Sequence, residues 1–228
     1  MPEISLRLQQ IYNEILDYEE EFNKNPHSVT LIAVSKTRSV AEIIDACQNG
    51  QTQFGENYLQ EALEKIEQLK ENRLIWHFIG PIQSNKTRAI AEKFDWVHSI
   101  DRLKIAQRLS DQRPDNIAPL QVLIQVNTNN EESKSGCNFA ELEALASAIQ
   151  ALPRLNLRGL MAIPVNETDF EKQRLPFRRL HEAMQQLNKQ GFELDTLSMG
   201  MSKDIRAAIA EGANMVRIGT SIFGERKK

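Results

Sequence analysis

The sequence predicts a single (β/α)₈ barrel. After one leading helix, strand-like and helix-like runs alternate eight times, the number that closes a parallel barrel. The first strand run shows no polar alternation, as expected where both faces of a parallel sheet are covered. No GxGxxG turn follows that run, whereas an open doubly wound sheet usually carries one.

The elements follow in order. Residues 3 to about 24 read as a helix, because Ile4, Leu8, Ile11 and Ile15 recur at three- and four-residue steps. Pro26 in "NKNPHS" breaks it. "VTLIAVSK" is the first strand, followed by a helix over "SVAEIIDACQNG" closed by Gly50. "TQFGEN" is the second strand with its exit, and "YLQEALEKIEQLK" the helix after it. "LIWHFIG" and "NKTRAIAEKF" form the third unit, "DWVHSI" and "RLKIAQRLSDQ" the fourth, the latter ended near Pro114. "LQVLIQVNT" leads to "FAELEALASAIQAL", which Pro153 ends. "LNLRGLMAI" leads to a helix from about Phe170 to Lys189. "LDTLSMG" and "KDIRAAIAEG" are the seventh unit. "NMVRIG" is the last strand, with a short helix through Phe223. Residues 1–28 form the leading helix and its connection, residues 29–224 the barrel, and no second domain is expected in residues 1–228.

Composition excludes several classes of function. Hydrophobic residues make up 41% and the formal charge is −3, so neither a nucleic-acid nor a membrane partner is expected. No apolar run approaches the length of a membrane span, and the opening "MPEISLRLQQ" has no signal-peptide pattern. Cys47 and Cys137 form no CxxC pair and no metal set with the four histidines. The expected setting is a reducing cytoplasm with free thiols.

Polar and glycine-rich residues gather at the strand exits, which form the working face of such a barrel. Strand one ends in Ser35-Lys36. A rim lysine can snorkel into water; alternatively, apolar neighbours lower its pKa, and the neutral amine attacks an aldehyde to form a Schiff base. A phosphate site is expected after strands seven and eight. There "SMGMSKD" places Ser202 as the N-cap of a helix starting near Lys203, and Gly219 and Thr220 open a short helix with free N–H groups. Arg217 in the last strand either pairs with a carboxylate inside the barrel or donates to a cofactor's pyridine nitrogen. His77 either lines a cofactor ring or is a satisfied core histidine. Asn57 either bonds a ring oxygen or caps the helix after it. Lys134 in "ESKSG" belongs to a loop expected to be mobile over the mouth. His27, His98 and His181 read as structural or solvated. No Ser-His-Asp set, paired-carboxylate signature or P-loop is apparent.

The stretches "LIAVSKT", "FGENY", "WHFIGPIQSNK", "SKSG", "RGLMAIP", "LSMGMSKD" and "VRIGTSIFG", spread from about residue 30 to 224, resemble the pyridoxal phosphate homeostasis proteins (the YggS/PROSC family). The resemblance implies a barrel like the N-terminal domain of fold-type III enzymes such as alanine racemase. It implies pyridoxal 5′-phosphate held as an internal aldimine on Lys36. Phosphate contacts would come from Ser202, Gly219 and Thr220, with Arg217 at the pyridine nitrogen and His77, Asn57 and Met161 as further pocket residues. It also implies a role in balancing vitamin B6 vitamers and amino and keto acids, without robust catalysis. Racemases of this fold carry a second, all-β domain, which lends a tyrosine as a second acid/base. A chain of 228 residues leaves no room for it, so a monomer is expected, with apoenzymes that need the cofactor as candidate partners. Two further hypotheses are a slow amino-acid racemase and a barrel for some other phosphate ester.

Overall fold

The computed structural model describes residues 2–129 and 135–225. Lys134 and the rest of 130–134 therefore lie outside the described residues.

Eight parallel strands close on themselves in chain order, β1 through β8. They are β1 Thr30–Val34, β2 Gln53–Glu56, β3 Ile75–Phe78, β4 Trp96–Ile100, β5 Leu120–Gln125, β6 Leu155–Met161, β7 Thr196–Ser198 and β8 Met215–Ile218. The helices around them are α1 Pro2–Glu21, α2 Val40–Gln48, α3 Leu59–Gln68, α4 Thr87–Lys93, α5 Leu103–Gln112, α6 Leu142–Gln150, α7 Phe170–Lys189, α8 Ile205–Ala210 and α9 Thr220–Phe223. A 3₁₀ turn over Lys70–Asn72 follows α3, where the sequence pattern reads as the end of that helix. None of the helices among the described residues is long and apolar enough to cross a membrane.

Local chemistry explains the boundaries. Ser39 caps α2 in a capping box, its side chain accepting from the Glu42 N–H while Glu42 accepts from the Ser39 N–H. Asp169 caps α7 by accepting from the Lys172 N–H at 2.9 Å. The leading helix is tied to the barrel by Glu19, which is 1% exposed. Its carboxylate accepts from the His27 and Val29 N–H groups at 2.8 and 2.7 Å.

The apolar core lies between strands and helices, with Phe54, Phe94, Phe177 and Ile105 fully enclosed. A second set lines the lumen. Partners in parallel register share a face. Ile32 pairs with Arg217, and both Met161 and Met215 pair with Ser198, so lumen walls mix apolar and polar groups.

Candidate functional site

The mouth is built from the strand exits. Beyond β1 the pairing continues for one residue, with the Ser35 N–H donating to Gly55 O. A turn closed by Arg38 N–H to Ser35 O then carries Lys36 and Thr37 as its central pair. Lys36 is half-buried. Thr37 has φ 64°, an outlier for a β-branched residue and costly unless its surroundings enforce it. The enforcing contact is Glu61, whose carboxylate accepts from the Thr37 N–H at 2.6 Å.

Beneath the turn sits a buried ion cluster. Lys65, 4% exposed, donates to Ser35 O and Glu56 Oε1 at 2.7 Å and to Glu61 Oε1 at 2.5 Å. The Ser35 hydroxyl donates to Glu56 Oε1 at 2.6 Å. Burial pushes the Glu56 carboxyl above the usual range, although the Lys65 ammonium opposes the rise. Lys65 thus grips the backbone one residue before Lys36. The sequence does carry a signal for it: Lys65 falls on the apolar stripe of α3, three residues after Ala62 and four before Leu69.

Asn57 follows β2. Tyr58 is the N-cap of α3 and makes no side-chain capping bond. Asn57 Oδ1 is instead buried with no partner among the described residues. Its backbone is pressed by Gly80, where any Cβ would come within 2.6 Å of Asn57 O. A buried acceptor left unpaired costs about 1–3 kcal/mol, so a donor that reached this atom would be stabilising.

Arg217 in β8 is 4% exposed. It appears in none of the ion pairs found among the described residues. It donates to the Ser198 hydroxyl at 2.6 Å and to Ala162 O at 2.9 Å. Burial lowers the guanidinium to about 10, against the pull of Asp204, so it remains charged at neutral pH. The sequence left open a carboxylate-paired structural arginine, and the hydrogen bonds give that reading no support.

His77 is fully buried, with Nδ1 2.9 Å from His98 Nε2 and Nε2 3.0 Å from Gln53 Oε1. Both ring nitrogens are committed, as in a satisfied core histidine. Its ring stacks on Trp96. Met161, fully buried, lies in the lumen wall. His98, read from the sequence as structural or solvated, and Ser198, which the sequence does not single out, join His77 to Arg217, and Gln53 ends the chain on the far side of His77. His98 was readable from its place inside an apolar strand run; the short, ordinary residues Ser198 and Gln53 carry no signal of their own.

Past β7 the structure corrects the sequence reading. Ser202 is exposed in a turn and caps nothing. Asp204 is the N-cap, and α8 starts at Ile205. The reason is local: the Met201 N–H donates to Asp204 Oδ1 at 2.6 Å and the Asp204 N–H to Met201 O at 3.0 Å, closing a turn over Ser202 and Lys203. The apolar run that can pack begins only after it. Gly200, at φ 96°, holds this loop against α8, where a Cβ would meet the Ala208 Cβ at 2.6 Å. Past β8 the reading holds: Gly219 is the N-cap of α9 and Thr220 its first residue. A Cβ at Gly219 would come within 3.1 Å of Val34 O, so β8 presses its exit against the end of β1. Arg38 binds the two together. Its guanidinium donates to Phe223 O at 3.1 Å and also to Gly224 O.

The sequence matches the family described as alanine racemase, N-terminal domain, over residues 7–227. The pyridoxal phosphate homeostasis protein of Vibrio alginolyticus is 55% identical over 230 residues, covering 99% of this chain and 99% of that protein. The solved structure of PipY from Synechococcus elongatus PCC7942 with PLP bound has a TM-score of 0.84 at 35% identity, covering 97% of this chain and 100% of that one. Alanine racemase from Corynebacterium glutamicum has a TM-score of 0.68 at 19% identity, covering 100% of this chain and 61% of that one, a likeness of fold alone. The closed parallel barrel and the family match over residues 7–227 together define the class, that of the alanine racemase N-terminal barrels. Within that class the chain belongs to the pyridoxal phosphate homeostasis proteins.

Proposed function

We propose that this protein binds pyridoxal 5′-phosphate at the barrel mouth through Lys36, and holds and releases the cofactor in vitamin B6 homeostasis. Lys36 would hold the cofactor through its Nζ at the aldehyde carbon. The bound cofactor supplies an electrophilic aldehyde conjugated to a pyridine ring. The chain supplies the rest. Asn57 meets the ring oxygen, Met161 forms the wall, and His77 backs the floor. The exits carrying Ser202, Gly219 and Thr220 take the phosphate, and Arg217 donates to the ring nitrogen.

One observation carries this reading: a buried, charged arginine that makes no ion pair with a carboxylate among the described residues, on the strand that pairs with the one leading to Lys36. With its pKa near 10, Arg217 donates a hydrogen bond but keeps its proton. The ring nitrogen then stays unprotonated and the ring is a weaker electron sink, which suits a carrier more than a catalyst. We place its action in a reducing cytoplasm, as a monomer, with apoenzymes as recipients. Cys47 and Cys137 are free thiols.

The test is a visible absorption spectrum before and after borohydride, followed by peptide mapping. A band that bleaches and maps to Lys36 is the expected result. Lys36→Ala is expected to lose the band and keep its melting temperature, since a half-buried residue past the strand end adds little to the core. A colourless protein that takes up no added cofactor would return Lys36 to a rim cation. The racemase reading would be revived by solvent deuterium appearing at an amino acid's Cα and vanishing in Lys36→Ala.

A further inference from the structure

β4 and β7 are not neighbours in the barrel, so the contact between His98 and Ser198 crosses the lumen. It is the middle of a chain that runs Arg217, Ser198, His98, His77, Gln53, with links of 2.6, 2.8, 2.9 and 3.0 Å. Ser198, His77 and His98 are each 0% exposed, so bulk solvent does not reach them.

Chemistry at the two ends sets the direction of this chain. A guanidinium has no acceptor, so Arg217 donates and Ser198 Oγ accepts. The serine's own hydrogen then goes to His98 Nδ1. That leaves Nε2 of His98 as the protonated nitrogen, donating to His77 Nδ1. His77 in turn donates from Nε2 to Gln53 Oε1, which only accepts. The Ser198 hydroxyl and all four imidazole nitrogens are then satisfied. The reverse direction strands the Ser198 hydrogen and sets two lone pairs against each other at Gln53, each a costly outcome in a dry interior. A cationic imidazole is disfavoured here as well, since His98 stands one hydroxyl away from a buried guanidinium.

We propose that Ser198, His98 and His77 are positioning residues for Arg217, a one-way hydrogen-bond chain that fixes both imidazoles as neutral Nε2–H tautomers and locks the guanidinium in the lumen. The importance of that lock for ligand binding rests on the reading that Arg217 meets the cofactor ring; the chain itself belongs to the protein alone. Two of the arginine's donors are held by Ser198 and Ala162, which orients those that remain.

The experiment is a nitrogen-15 histidine NMR spectrum of the protein without added cofactor, paired with fluorescence titration by pyridoxal phosphate. The expected spectrum shows His77 and His98 as neutral Nε2–H tautomers. An Nδ1–H tautomer or an imidazolium at either position overturns the chain. Ser198→Ala is expected to lose the single-tautomer pattern at His98 and weaken cofactor binding about tenfold, the scale of one hydrogen bond to a charged group. Ser198→Thr, which keeps the hydroxyl, is expected to restore both. If Ser198→Ala does not fold, Gln53→Leu breaks the other end and is expected to release the tautomer preference of His77. Affinity unchanged within twofold in a variant with a broken chain overturns the positioning role. A protein that binds no pyridoxal phosphate overturns the proposed function and the ligand half of this proposal, while the tautomer spectrum still decides the chain.

Discussion

At Lys65 an ammonium is enclosed with two carboxylates and a backbone carbonyl, and its removal would leave Glu56 buried without a counter-charge. Breaking a buried pair from one side costs about 3–5 kcal/mol, whereas replacing both partners with apolar groups of similar volume can be nearly neutral. Lys65→Met is therefore expected to lower stability by about that amount in chemical denaturation, and the double variant Lys65→Met, Glu56→Leu to recover part of it. A single variant as stable as the parent would show that the cluster is solvated in solution. The sequence suggested Lys36 as a lysine ending an apolar strand, Arg217 as an arginine inside the last strand, and Gly219 and Thr220 as the opening of a short helix after it. It was nearly silent on the groups that support them. Gln53 and Ser198 acquire their meaning only when the barrel closes and brings strands far apart in the chain across the lumen. Ser202 was misplaced because a serine before a helical run satisfies the capping pattern, and nothing local showed that Asp204 closes its own turn first.

Among the elements, β6 shows how little slack the barrel allows. The β5–β6 register shifts between Val122 and Leu123, so that Leu123 opposes Gly159. Gly159 has φ 156°, and an added Cβ would fall 1.9 Å from Thr196 O, inside any permitted contact. Backbone of β7 fills the place of the missing side chain, and backbone cannot rotate away as a flexible side chain would. Gly159→Ala is expected to destabilise by more than about 3 kcal/mol, or to prevent soluble expression, and thermal melting would record it. A melting temperature within a few degrees of the parent would mean that β6 and β7 can part. The strand itself was legible in "LNLRGLMAI", but the register shift was not. A glycine in a strand indicates a bulge or a close approach without saying which neighbour comes near.

For the molecule as a whole, the buried histidines predict how acid unfolds it. Burial holds His77 down to about 3, and His98 well below its usual value, with His77 and Arg217 adding to the effect. In the unfolded chain an imidazole takes its proton near 6.5. Between those values the unfolded state binds more protons than the folded one, so stability falls as pH drops. Each histidine contributes about 1.4 kcal/mol per pH unit below about 6.5. Urea midpoints measured from pH 7 to pH 4 should fall steadily, and less steeply in His77→Gln. A flat profile would mean that the imidazoles reach water. The barrel's closure was legible from eight alternating units, since strand number and parallel connection leave few other arrangements.

The grip of Arg38 on Phe223 and Gly224 joins the turn that carries Lys36 to the last helix, segments separated by most of the chain. A rigid ligand attached covalently at one end and by its anion at the other has a fixed span. On the proposed reading those two attachments are the Lys36 turn and the exit of β8, and Arg38 is then a caliper that sets the gap between them before the cofactor arrives.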